Sequence, residues 1–111
     1  MEIHTRTDGQ VLIVALLGRL DAASAKQFDE AFAGGLARGD RRFLFSLEHL
    51  DYISSAGLRC FLTAAKQLRT AQGRLALSGL APAVAEVFRI SGFDALLTIR
   101  ATEAEALQEL G

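Results

Sequence analysis

The segment His49-Leu50-Asp51-Tyr52-Ile53-Ser54-Ser55-Ala56-Gly57-Leu58 carries an imidazole, a carboxylate, a phenol and two adjacent hydroxyls. It leaves an apolar run, Phe43-Leu44-Phe45-Ser46-Leu47, and enters a stretch of helical periodicity. In an α/β arrangement, groups beyond the carboxyl ends of strands and at helix starts are exposed. The free amides there carry partial positive charge that favours anions. One chemistry that fits is phosphorylation of Ser54 or Ser55. A phosphate adds about −1.5 to −2 charges and strong acceptor oxygens beside amides able to hold them. A structural role fits the same residues: Ser54 as an N-cap, Ser55 as a first-turn serine, and Gly57 as a point of close approach. A hydrolytic relay would make Ser55 the nucleophile, His49 the base and Asp51 the orienter. It lacks the Gly-x-Ser-x-Gly elbow, because Ile53 stands two residues before Ser55.

The elements that must position these residues are legible from periodicity. Ile3 to Thr7 alternates weakly, Asp8-Gly9 offers a tight turn, and Val11 to Leu17 is almost wholly apolar, as in a strand covered on both faces. Between Asp21 and Leu36 the residues Phe28, Phe32 and Leu36 recur every four positions, with Ala25 extending the stripe. This predicts a helix whose first amides Asp21 or Ser24 can cap and whose end Gly34-Gly35 and Gly39 loosen. Arg38-Gly39-Asp40 reads as a turn.

From Ser54 or Ser55 to about Thr70, the residues Leu58, Phe61, Leu62, Ala65 and Leu68 define the clearest helix of the chain, and Ala56, Cys60 and Ala64 form a row of small residues on it. Arg74 to Ser78 reads as a strand, and Pro82 opens a helix that Gly92 ends. Leu97-Thr98-Ile99 reads as a last strand, and Thr102-Glu103-Ala104-Glu105 matches a capping box before a helix through Leu110. The order β-β-α-β-α-β-α-β-α predicts an α/β domain over residues 1–111, with a largely parallel mixed sheet, an N-terminal antiparallel hairpin and about four helices.

Composition removes several functions. At 111 residues, 50% hydrophobic and 23% charged, the chain suits one globular domain. A net charge of −1 does not suit nucleic-acid binding by counterion release. One cysteine and two histidines give no zinc pattern, and no phosphate-binding or dinucleotide loop is present, so neither metal nor cofactor is expected. Glu2, His4, Arg6 and Asp8 precede any apolar run, which predicts no signal peptide, no membrane insertion and a cytoplasmic location. No heptad seam indicates an oligomer.

At the serine segment the chain resembles the STAS domains of bacterial anti-sigma factor antagonists, whose motif is Asp-Ser-(Ser/Thr)-Gly-Leu at a helix start. Ser55-Ala56-Gly57-Leu58 aligns with Ser-(Ser/Thr)-Gly-Leu, and Gly18-Arg19-Leu20-Asp21-Ala22 resembles the family's Gly-x-(Leu/Ile)-Asp segment. Two positions depart from the motif: Ser54 stands where the family has Asp, and Ala56 where it has a second hydroxyl. The resemblance covers essentially the whole chain.

The resemblance implies partner switching without a catalytic group. The unphosphorylated protein binds an anti-sigma factor that is also a serine kinase. Phosphorylation of Ser55, or alternatively Ser54, blocks binding, and a PP2C-type phosphatase reverses it. The implied partner surface comprises Asp21, Ala22, Asp51, Tyr52, Ser54, Ser55, Ala56, Gly57 and Arg59. A second use of the same fold is as an accessory of a transporter, including a lipid-trafficking ABC type, where the domain docks on an ATPase.

Overall fold

Strand β1 (Glu2–Asp8) turns back into β2 (Val11–Leu20), the longest strand. In chain order there follow α1 (Ala25–Ala37), β3 (Arg42–Ser46), β4 (Leu50–Ile53), α2 (Ser55–Thr70), β5 (Arg74–Ser78) and α3 (Pro82–Ser91). A short 3-10 turn (Phe93–Ala95), β6 (Ile99–Arg100) and α4 (Glu103–Leu110) complete the chain. The computed structural model describes residues 1–111.

The sheet runs β1-β2-β3-β5-β6, with β4 also paired to β2. Only the β1–β2 pair is antiparallel. The apolar run in β2 has the predicted cause, since residues point alternately into two cores. Leu12, Val14 and Leu16 meet Phe28, Phe32, Phe43, Phe45 and Phe61 on the side of α1, α2 and α3. Val11 and Ile13 pack with Leu44, Ala76, Ala106 and Leu110 under α4.

An aromatic cluster ties the larger core together. Phe28 of α1, Phe45 of β3 and Phe61 of α2 have ring centroids 5.1 to 5.3 Å apart, and Phe88 of α3 lies 5.9 Å from Phe61. Edge-to-face and offset contacts of this kind each add about 0.5–1.5 kcal/mol beyond area burial. They lock the helix that starts at the two serines to the centre of the sheet.

The structure corrects the predicted order in one respect that matters for the site: Leu50–Ile53 is a strand, where the sequence reads as a polar connection. Its outer residues Leu50 and Ile53 are buried while Asp51 and Tyr52 are exposed. That apolar-polar-polar-apolar pattern lacks the alternation that marks a strand. Pairing with β2 decides it.

Smaller differences have equally local causes. The hairpin loop is Gly9-Gln10, because Asp8 already pairs with Val11, and Gly9 alone takes positive φ. Helix α1 starts at Ala25 because Asp21 is spent on the preceding turn, and Gly34 and Gly35 lie inside the helix. Gly35 is buried where a Cβ would sit 2.8 Å from the Phe43 ring. The buried face of α2 includes Cys60 and Ala64, while Leu62 and Ala65 are only partly covered.

Near the chain's end, β6 is Ile99–Arg100, two residues later than the periodicity predicts at its start, because the 3-10 turn consumes Phe93–Ala95. Thr102 caps α4 by accepting from the Glu105 amide at 3.2 Å. The reciprocal half of the box, from the Thr102 amide to the Glu105 carboxylate, is not made; Glu103 at the first helical position bonds Arg6.

Candidate functional site

The site forms where β2 changes partner. Val11 to Ala15 pair with β3, then the register shifts between Gly18 and Arg19 and the strand continues against β4. Gly18 has φ +98°, a conformation open to glycine at little cost, and its amide donates to the His49 carbonyl at 3.0 Å. Two residues on, the Leu20 carbonyl accepts from the Ser54 amide at 3.0 Å. The chain is thus clamped to the end of β2 just before α2 begins.

Ser54 is the N-cap of α2. Its extended backbone (φ −96°, ψ 176°) lets the hydroxyl accept from the Gly57 amide at 3.2 Å, and its carbonyl accepts from the Leu58 amide at 2.9 Å. Gly57 is buried, and a Cβ there would lie 2.6 Å from the Leu20 carbonyl oxygen and 2.8 Å from Ile53 Cγ1. Of the two sequence readings of Gly57, a point of close approach and a member of the partner surface, the geometry has the first: the residue is buried and lets the helix start approach β2.

Ser55 is the first residue of α2 and is exposed, and its hydroxyl enters none of the side-chain hydrogen bonds. His49 and Asp51 are also exposed, and no bond links either to Ser55. The relay that a hydrolase needs is not assembled. Ala56, half-buried, and exposed Arg59 face a groove between α1 and α2 shared with Ala25, Asp29 and Cys60. Burial pushes the Cys60 thiol up to about 11, with the Asp29 carboxylate adding to the effect. It is a protonated packing residue at neutral pH.

Asp21 organises the neighbouring turn. Its Oδ1 accepts from the Ala23 and Ser24 amides at 3.0 and 3.2 Å, while the Ser24 hydroxyl donates to the Arg19 carbonyl at 2.9 Å. Ala22 is exposed on that turn. Arg19, absent from the sequence-based set, joins the two halves of the site. Its guanidinium lies 4.1 Å from the centroid of the Tyr52 ring, and its Nε is 3.8 Å from Asp21 Oδ2. Arg19 and Tyr52 are register partners in the β2–β4 pair, so the signal becomes visible only once Leu50–Ile53 is known to be a strand.

The structure therefore places Asp21, Ala22, Ser54, Ser55, Ala56 and Arg59 after the carboxyl ends of β2 and β4, with Asp51 and Tyr52 on the exposed face of β4 itself. No helix is long and apolar enough to cross a membrane, and no cluster of three metal-ligating side chains occurs.

This architecture, with a serine-headed helix clamped at a strand end, is that of the STAS domain, whose family model matches residues 2–106. The Bordetella bronchiseptica protein BtrV, which bears the name of an anti-sigma factor antagonist, is 47% identical over 94 residues, or 85% of this chain and 80% of its own length. The chain belongs to the STAS family of anti-sigma factor antagonists. Solved structures agree in fold. An anti-sigma factor antagonist from Mycobacterium paratuberculosis matches with a TM-score of 0.89 at 18% identity, covering 98% of this chain and 92% of the other. Bacillus SpoIIAA in its phosphorylated form matches at 0.74 and 22% identity, covering 99% and 100%.

Proposed function

We propose that residues 1–111 act as one unit in a cytoplasmic partner switch. The unphosphorylated protein binds an anti-sigma factor that is also a serine kinase, and so releases the target that factor holds. The kinase phosphorylates Ser55 and the complex dissociates; a PP2C-type phosphatase restores the binding form. No catalytic group of this chain takes part.

The observation that carries this reading is the division of labour between the two serines. Ser54 is engaged in capping α2, whereas the neighbouring Ser55 hydroxyl is exposed and unbonded. A kinase needs a free hydroxyl that it can reach, and Ser55 meets that need without unravelling the helix start. Family membership, and the phosphorylated state in which SpoIIAA was solved, support the same assignment.

The energetics are adequate. A dianion at the centre of a docked surface must be desolvated, and opposite apolar or acidic groups the cost reaches several kcal/mol. Since about 1.4 kcal/mol changes affinity tenfold, roughly 3–4 kcal/mol empties a complex formed modestly above its dissociation constant. Asp51, Tyr52 and Arg19 of the paired strands, Ala22 of the neighbouring turn and Arg59 of α2 make up, with Ser55, the surface that the partner reads.

Peptide mass spectrometry of the protein isolated from its own cells, before and after serine phosphatase treatment, tests the modification. A phosphatase-sensitive phosphate on Ser55 is expected. Phosphate on Ser54 would move the switch by one residue, and none under several growth conditions would remove it. Ser55→Asp and Arg59→Glu should each weaken binding to the purified kinase; unchanged binding by both would put the interface elsewhere.

A further inference from the structure

Ser55 and Arg59 stand four residues apart on α2 and are both exposed, while Gly57, Leu58 and Cys60 beside them are buried. At about 3.6 residues per turn they share the outer face of the helix, with Cβ atoms roughly 5–6 Å apart. Helical side chains lean toward the N-terminus, so the long Arg59 chain covers the turn that holds Ser55. An anion at the first position of such a pair and a cation at the second is the favourable order.

The guanidinium has no competing attachment. Arg6, Arg19, Arg89 and Arg100 each have a carboxylate partner, whereas Arg59 has none. Asp29 of α1 lines the same groove, yet it forms no ion pair with Arg59. On the other side, Ser54 is neutral, and its hydroxyl is taken by the Gly57 amide at 3.2 Å. Asp21 is held by the Ala23 and Ser24 amides, and Asp51 lies on β4. Ala56, Gly57 and Leu58, the residues between Ser55 and Arg59, carry no charge.

Phosphorylation turns this neutral pair into an attractive one. Transfer of a phosphoryl group from the kinase's nucleoside triphosphate to Ser55 Oγ releases the hydroxyl proton and the nucleoside diphosphate. It leaves about −1.5 to −2 charges and three acceptor oxygens at that position. A guanidinium one turn away can present two parallel N–H donors to two of those oxygens, the geometry in which arginine recognises phosphate.

We infer that Arg59 is the phosphate's partner within the chain: once Ser55 is phosphorylated, the guanidinium turns from the α1–α2 groove onto the phosphate and forms a bidentate ion pair along the outer face of α2. The inference rests on Ser55 as the phosphorylated residue, proposed above. It gives the switch a second component. The modification adds negative charge to the partner surface and, in the same step, neutralises Arg59 and takes it out of the partner's reach.

The full chain with phosphoserine installed at position 55 during translation tests the pair without the kinase, so failure here is distinct from an absence of phosphate on Ser55 in cells. Phosphorus NMR follows the second ionisation of the phosphate in the parent and in Arg59→Gln, with amide spectra to show that both are folded. The parent's midpoint should lie lower by about 0.3 pH unit or more, because the arginine favours the dianion. The Arg59 Nε–H signal should move with the same midpoint. Coincident midpoints for the two proteins would overturn the pair and assign the phosphate to the backbone amides of the helix start. An equal shift in Arg69→Gln, at the far end of α2, would mark general electrostatics and overturn it, as would a shift with Arg19→Gln in place of Arg59→Gln. Against the purified kinase, phosphorylation should weaken binding of Arg59→Gln several-fold less than it weakens binding of the parent. Equal losses would overturn the withdrawal of the arginine.

Discussion

The carbonyl oxygen of Leu20 stands 2.6 Å from the position that a Cβ of Gly57 would occupy, so the last residue of β2 and the first turn of α2 touch through backbone alone. That contact holds Ser55 at the rim of the sheet. Gly57→Ala should destabilise the fold by roughly 1–3 kcal/mol, since backbone cannot yield as a side chain can. Gly34→Ala offers the contrast: its Cβ meets only the flexible end of Arg38 at 3.4 Å, and a helical alanine should add up to about 1 kcal/mol. Urea denaturation of the two variants measures both, and destabilisation of equal size would show that the Leu20 contact is not the cause.

Adjacent serines should behave differently when truncated. Ser54→Ala removes the acceptor for the Gly57 amide and should cost about 1 kcal/mol. Ser55→Ala removes a hydroxyl with no partner and should fall within about 0.5 kcal/mol of the parent. Equal losses in thermal or urea unfolding would contradict the assignment of the cap to Ser54.

Most of the framework was readable before the structure because its signals are local. Phe28 and Phe32 at helical spacing, the apolar run of β2, and the Ser54-to-Leu58 helix start each announce their element. Leu50–Ile53 was not readable, because only four residues are involved and its pairing follows from a register shift at Gly18, more than thirty positions earlier. With that strand hidden, Arg19 could not be placed on Tyr52. The close approach at Gly57 was one of its two sequence readings, and only the packing of α2 on β2 selects it.

Arg19 and Tyr52 should act as a pair. The ring is 41% exposed, so their contact contributes only about 0.5–1 kcal/mol to stability, measurable as the coupling in a double-mutant cycle with Arg19→Ala and Tyr52→Ala. Their larger effect should be on partner binding, because arginine and tyrosine at the centre of an interface commonly dominate its energy. Each truncation is expected to weaken binding to the anti-sigma factor at least tenfold, and full affinity in both would move the interface away from this end.

Cys60 gives the fold an alkaline limit. Below pH 9 the thiol is protonated in both folded and unfolded chains. As pH rises from 9 toward 11 the unfolded chain loses the proton first, so the thiol's contribution to stability is lost across that window. Relative to Cys60→Ala, the parent should lose stability on the order of 2–3 kcal/mol by its upper end. Parallel denaturation curves for the two proteins from pH 8 to 11 would contradict this account.

The switch itself is tested most directly by calorimetric titration of the kinase partner, recovered with Ser55→Ala as bait, against two forms of this protein: unphosphorylated, and carrying phosphate at Ser55 alone. The first form should bind tightly and the second at least about 100-fold more weakly, equivalent to a penalty near 3 kcal/mol. Equal affinity of the two forms would contradict the switch.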